Sequence, residues 1–148
     1  MTTRENETEK KESTNKINCY CNSGMYYELC CQPFIQKKAT PASAEQLMRS
    51  RYTAFCIKDA KYIEETMKEK ALELHDEESI VNSPIEWKQL LILDRENGKE
   101  SDNEGTVTFR AVFQKFPDEE QLSYIEEKSL FKKVDGKWFY VDLIPLNN

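Results

Sequence analysis

Ser83-Pro84-Ile85-Glu86-Trp87-Lys88-Gln89-Leu90-Leu91-Ile92-Leu93-Asp94 is the stretch on which the reading of the fold turns. Before it the apolar period is helical. Ala44, Met48, Tyr52 and Phe55 recur at spacings of three and four, which predicts a helix over 42–57, capped by Thr40 with Pro41 at its first position. Asp59 reads as the cap of a second helix through about Met67, with Tyr62, Ile63 and Thr66 on one face. Residues 68–84 are polar and show no clear period, and Ser83-Pro84 stops whatever precedes it.

After Pro84 the period becomes two. Trp87, Gln89, Leu91 and Leu93 alternate with Lys88, Leu90, Ile92 and Asp94. A polar loop is expected from Arg95 to Gly105. Val107, Phe109, Ala111 and Phe113 then alternate with Thr106, Thr108, Arg110 and Val112. Pro117-Asp118 marks a turn, Leu122 to Val134 reads as a long strand, and Asp135-Gly136 is a strong hairpin signal before Trp138 to Ile144. Helices followed by a four-strand meander predict an α+β fold, a bent antiparallel sheet with helices packed on one face.

Upstream lies Cys19-Tyr-Cys21-Asn-Ser-Gly24-Met-Tyr-Tyr27-Glu-Leu-Cys30-Cys31. Disulfides are disfavoured in a reducing compartment, and adjacent Cys30 and Cys31 cannot pair without strain. Zinc takes four thiolates at tetrahedral corners. Cys19 and Cys21 supply two, the Asn22-Ser23-Gly24 turn reverses the chain, and a short helix capped by Ser23 returns Cys30 and Cys31. Such a closed shell leaves no position for water, so the zinc is expected to be structural. The organisation that follows is a disordered tail at 1–17, a zinc knuckle at 18–34 and an α+β domain at 42–148.

The chain has 148 residues, 32% of them charged, and a formal net charge of −6. That charge argues against general nucleic-acid binding, although Lys16, Lys37 and Lys38 offer a weak basic patch near the cysteines. No apolar run reaches the ~20 residues of a membrane span, and the first residues lack the apolar core of a secretory signal, so a cytoplasmic protein is expected.

The cysteine pattern resembles the SEC-C motif, the zinc-binding tail of the protein-export ATPase SecA. Ala44-Glu-Gln-Leu-Met-Arg-Ser-Arg-Tyr-Thr-Ala-Phe55 resembles the helix after this motif in the YchJ-like family. Glu104-Gly-Thr-Val-Thr-Phe109, Glu127-Lys-Ser-Leu-Phe131 and Gly136-Lys-Trp-Phe-Tyr-Val-Asp142 extend the likeness to about residue 143. The resemblance implies zinc binding and a cone similar to the nuclear transport factor 2 and cystatin-like folds, but no reaction. The SecA likeness implies a protein partner, in translation or export. Tyr20 and Asn22 stand where the family usually has proline and glycine, and Ile35 and Glu126 stand where it has histidines. Leu130 replaces an arginine, and Met67-Lys-Glu-Lys-Ala replaces a histidine-containing segment. Chemistry resting on those histidines is not expected here.

A cone has a concave mouth. Arg51, Tyr52, Trp87, Arg110, Glu127, Ser129 and Tyr140 are the candidates to line it. Arg49 and Arg51 point roughly 200° apart on a helix, so only Arg51 is assigned to the sheet side. An Arg51–Glu127 pair is expected, either pinning helix to sheet or orienting an anionic or polar ligand. His75, the only histidine, reads as a solvated surface residue, and Cys56 as a small buried hydrophobe. No nucleophile–histidine–acid set or phosphate loop is present in the sequence, and no catalytic residue is assigned. The first functional reading is therefore a zinc-stabilised adaptor that binds a protein through the knuckle. The alternative is a small-molecule binder or enzyme using the concave pocket. A homodimer through the exposed sheet face is a third arrangement.

Overall fold

The computed structural model describes residues 16–116 and 120–146. Five short or medium helices precede a four-strand sheet: α1 Gln32–Ile35, α2 Ala44–Ile57, α3 Ala60–Glu65, α4 Glu69–Glu73 and α5 Glu77–Val81. The strands are β1 Ile85–Asn97, β2 Glu104–Lys115, β3 Ser123–Val134 and β4 Lys137–Ile144. They pair antiparallel in the order β1-β2-β3-β4, so the architecture is the α+β meander expected.

Helix α2 starts later than the Thr40-Pro41 reading. Ser43 is its cap, with Oγ accepting from Gln46 N at 3.1 Å, and Gln46 Oε1 accepts in return from Ala42 N at 2.7 Å. That reciprocal arrangement satisfies two donors at once and so outcompetes Thr40. The helix ends at Lys58 in the left-handed region (φ 61°). Asp59 then caps α3, accepting from Tyr62 N at 3.1 Å. Helix α3 stops at Glu65, short of Met67. The Thr66 hydroxyl donates back to the carbonyls of Tyr62 and Ile63, and residues 66–68 pair with β4 through Tyr140 instead. The undecided stretch 68–84 holds α4 and α5, each too short to be stable alone and each anchored by one buried side chain, Ala71 or Ile80.

The sheet departs from strict alternation. Trp87 faces Phe113 and Gln89 faces Val112, so Lys88 is an extra residue; Leu93 is another, between Ile92 and Asp94. Each bulge shifts the face by one residue. Leu90 is therefore buried while Leu93 is 48% exposed. The expected loop at 95–105 shrinks to 98–103, because Arg95 to Asn97 continue β1 against Val107 to Gly105. Asp135 and Gly136, at φ 51° and 83°, make the tight turn between β3 and β4. The Pro117-Asp118 turn lies outside the described residues, as does most of the expected tail. Lys16 and Ile17, by contrast, are tied to the knuckle through Glu28 and Tyr27.

Leu47, Met48 and Tyr52 of α2 pack on Leu90, Val107, Phe109, Ala111, Phe131 and Trp138 of the sheet. Cys19, Cys21 and Cys31 belong to that same cluster, so the knuckle shares the core of the sheet and helix.

Candidate functional site

The cysteine segment folds back on itself as a miniature hairpin. Cys19 N donates to Met25 O at 2.8 Å, Tyr27 N donates to Ile17 O at 2.8 Å, and Asn18 bridges to Tyr26. Asn22 (φ 62°) and Gly24 (φ 91°) make the reversal. Asparagine tolerates the left-handed region better than most side chains, so it can occupy this turn position. A single 3-10 turn, Tyr27–Leu29, then delivers Cys30 and Cys31. Ser23 does not cap that turn as expected. Its hydroxyl accepts from Met25 N at 3.1 Å and lies 3.2 Å from Cys30 Sγ, and the turn is too short to need a side-chain cap.

The four Sγ atoms of Cys19, Cys21, Cys30 and Cys31 lie within 4.8 Å of one another. A tetrahedral ion with metal–sulfur bonds of about 2.3 Å requires edges of about 3.8 Å. Cys21 and Cys30 are 3.6 Å apart, and Cys30 and Cys31 are 3.9 Å apart. The charge pattern fits the same purpose. Hydrogen bonds from Cys19 and Cys31 drive the Cys21 thiol far down, while Cys31 is driven far up by serving those same contacts. Burial, together with the charge of Cys21, raises Cys30 to about 11. A cation among four crowded sulfurs would remove the cost of ionising them side by side. The donors present therefore fit a bound metal ion, which would tie the two arms of the hairpin together.

A second ring of residues surrounds the sulfurs. Arg49 Nη1 donates to Cys21 O at 2.8 Å and lies 3.7 Å from Cys21 Sγ; Thr53 Oγ1 is 3.8 Å from Cys19 Sγ. Neither Arg49 nor Thr53 was singled out from the sequence. The signal for Arg49 was available, since a side chain roughly 200° from Arg51 must face away from the cavity. Lys16 pairs with Glu28 and Lys37 with Glu65, so two of the three lysines of the supposed basic patch are neutralised.

A cavity of about 230 Å³ opens between α2 and the sheet. Arg51, Tyr52, Trp87, Glu127, Ser129 and Tyr140 line it. Arg110 does not. It alternates with inward Phe109 and Ala111, so it stands on the outer face, where Nε donates to Glu126 at 2.7 Å and the guanidinium covers Tyr124. The expected Arg51–Glu127 ion pair is replaced by a relay. Arg51 Nη1 donates to Ile63 O at 2.8 Å and Thr66 Oγ1 at 2.7 Å, and its guanidinium lies 4.9 Å over the Tyr140 ring. The Tyr140 hydroxyl in turn donates to Glu127 Oε2 at 2.9 Å, which also accepts from Ser129 Oγ at 2.6 Å. Burial and the neighbouring carboxylate push the Tyr140 phenol up, so it remains a donor. Tyr52 and Trp87 meet edge to face at 6.2 Å.

His75 lies away from both features and is half-buried rather than solvated, with Nε2 enclosed and without a partner among the described residues. Burial raises the Cys56 thiol to about 12, which leaves it unreactive at neutral pH.

Residues 43–143 match the family described as the YchJ middle NTF2-like domain. A UPF0225 protein of Sodalis glossinidius is 42% identical over 137 residues, covering 88% of this chain and 86% of that protein. One of Actinobacillus succinogenes is 38% identical over 84% of this chain and 79% of its own length. Among solved structures, a SEC-C motif containing protein from Rhodopseudomonas palustris superposes with a TM-score of 0.77 at 31% identity, over 88% of this chain and all of that one. A sec-c motif containing protein from Psychrobacter arcticus gives 0.67 at 27% identity, over 92% and 86%. With its cysteine cluster in front of a helix-on-meander fold, the chain belongs to the UPF0225 family with the YchJ-like NTF2-like domain.

Proposed function

We propose that the chain is a zinc-stabilised protein-docking module of the cytosol. The observation that carries this reading is the groove beside the cysteines. Met25 and Leu29, 49% and 62% exposed, border it together with Phe34 of α1 and Glu45, Gln46 and Arg49 of α2. Large side chains held open to solvent beside polar ones are what a protein partner fills. Four thiols held free of disulfides suit a reducing compartment and a borderline-soft ion such as zinc. With all four positions occupied by sulfur, that zinc supplies rigidity and no open coordination site.

Two measurements test the proposal. Elemental analysis of purified protein should give one zinc per chain, lost in Cys30→Ser and Cys31→Ser. Partner proteins cross-linked to the wild type in its own cytosol should be lost with Leu29→Asp while zinc content stays the same. A partner that binds Leu29→Asp and Cys30→Ser as well as the wild type would sink the docking reading.

A further inference from the structure

We infer that the cavity between α2 and the sheet binds a small, flat, uncharged ligand that presents a hydrogen-bond donor beside an acceptor, the chemistry of an aromatic amide. This inference stands apart from the knuckle and does not rest on the docking proposal.

The walls set the shape. Tyr52, Phe55, Trp87 and Phe109 surround the space with aromatic surface. The volume, about 230 Å³, falls below the ~300–1,000 Å³ of sites for drug-sized ligands, so one or two rings fill it.

The polar groups set the chemistry. Arg51 is 5% exposed and lines the cavity. Its Nη1 is committed to Ile63 and Thr66, and no hydrogen bond to a described residue runs from Nε or Nη2. A buried guanidinium with open N–H groups is a waiting donor. Glu127 takes both of its described hydrogen bonds on Oε2, which leaves Oε1 as a waiting acceptor. Tyr140 touches both residues and holds them in register.

Charge decides the class. Among the described lining residues, Arg51 and Glu127 are the only side chains of ordinary positive or negative charge, and they balance. An anion meets Arg51 favourably and Glu127 unfavourably; a cation meets the reverse. Either ion also loses its hydration among aromatic walls. A neutral carbonyl next to an N–H satisfies both ends without that loss.

The test uses three probes of one shape, benzamide, benzoate and benzamidine, titrated separately into isotope-labelled full-length protein while the Trp87 indole N–H signal is followed. Benzamide is expected to shift that signal and to bind roughly tenfold more tightly than either ion. Glu127→Gln removes the negative charge, so benzoate should then overtake benzamidine. Ala111 also lines the cavity, so Ala111→Leu takes up its space and should abolish the shift. Should Ala111→Leu fail to fold, the order of the three probes and its change in Glu127→Gln still decide. No shift with any probe, a wild-type preference for either ion, or benzamide binding that persists unchanged in folded Ala111→Leu would overturn the inference.

Discussion

Arg49 Nη1 donates to the carbonyl oxygen of Cys21 at 2.8 Å and reaches Cys21 Sγ at 3.7 Å, so one side chain of α2 holds the turn of the cysteine hairpin. Glu45, one helical turn earlier, accepts from Arg49 Nε at 2.9 Å and fixes the guanidinium. Groups that orient metal-binding sulfurs in this way contribute to affinity without touching the ion. Arg49→Ala is expected to weaken metal binding about tenfold, read by competition with a chelator. An unchanged affinity would show that Arg49 only braces the helix.

Removal of the metal is expected to loosen more than the hairpin. Cys19, Cys21 and Cys31 sit in the same apolar cluster as Leu47, Phe109 and Phe131. Calorimetry of metal-free protein should show one transition at lower temperature than the metal-bound form. Two separate transitions, with the upper one unmoved, would mean the sheet is indifferent to the knuckle.

Asn22 ties the hairpin to the sheet. Its Oδ1 accepts from Leu90 N at 2.7 Å, next to the first bulge of β1. Asn22→Ala removes that acceptor and leaves alanine at φ 62°, for a loss of about 2 kcal/mol. Asn22→Gly keeps the backbone relaxed and should lose only about 1 kcal/mol. Denaturant midpoints of the two variants check this, and equal midpoints would remove the backbone contribution.

Gly98 and Gly105 face each other at the end of the β1–β2 hairpin. A Cβ on Gly98, at φ 79°, would lie 2.8 Å from Ala44 Cβ, and Gly98 O accepts from Ala44 N at 2.9 Å. The start of α2 is thus seated on the loop. Gly98→Ala is expected to cost about 2 kcal/mol and lower the melting temperature by roughly 4–8 °C. A melting curve identical to wild type would contradict the close approach.

Alkaline stability should report the buried phenols. Burial raises Tyr62 to about 12 from an ordinary 10.0, despite the opposing effects of Ser50, whose Oγ is 2.7 Å from its hydroxyl, and of Arg51. The unfolded chain therefore ionises first. The stability tied to the neutral phenol is whole below about pH 10 and declines as pH rises toward about 12. Tyr52 and Tyr140 shift upward by burial and act in the same direction. Arg51, lowered to about 10 by burial, acts against them. Tyr62→Phe should flatten the decline over that window, measured by denaturant titration at successive pH values. An equally steep decline in the variant would place the titration elsewhere.

Several features were written locally. The change of apolar period at Pro84, the Asp135-Gly136 turn and the spacing of Cys19, Cys21, Cys30 and Cys31 each depend on residues a few positions apart, and each appears in the structure where the sequence puts it. The Ser43-Ala-Glu-Gln46 cap is equally local, and it rather than Thr40-Pro41 starts α2. The bulges at Lys88 and Leu93 were not legible, because an alternating run reads the same with or without an extra residue; only pairing with β2 shows which face each side chain takes. The helices at 69–73 and 77–81 were hidden for a related reason, since each is held by one buried contact rather than by a repeating stripe.

The sequence by itself determined the two main helices before a four-strand meander, the α+β class and the four sulfurs, because propensity, turn chemistry and ligand spacing act over short separations. Only the tertiary structure decided what surrounds the sites. It set Arg49 on Cys21, 28 residues away, and Asn22 under Leu90, 68 residues away. It put Tyr140 between Arg51 and Glu127 and turned Arg110 to the outer face. Those partners come from separate elements, and nothing in the chain before packing specifies which side chains will meet.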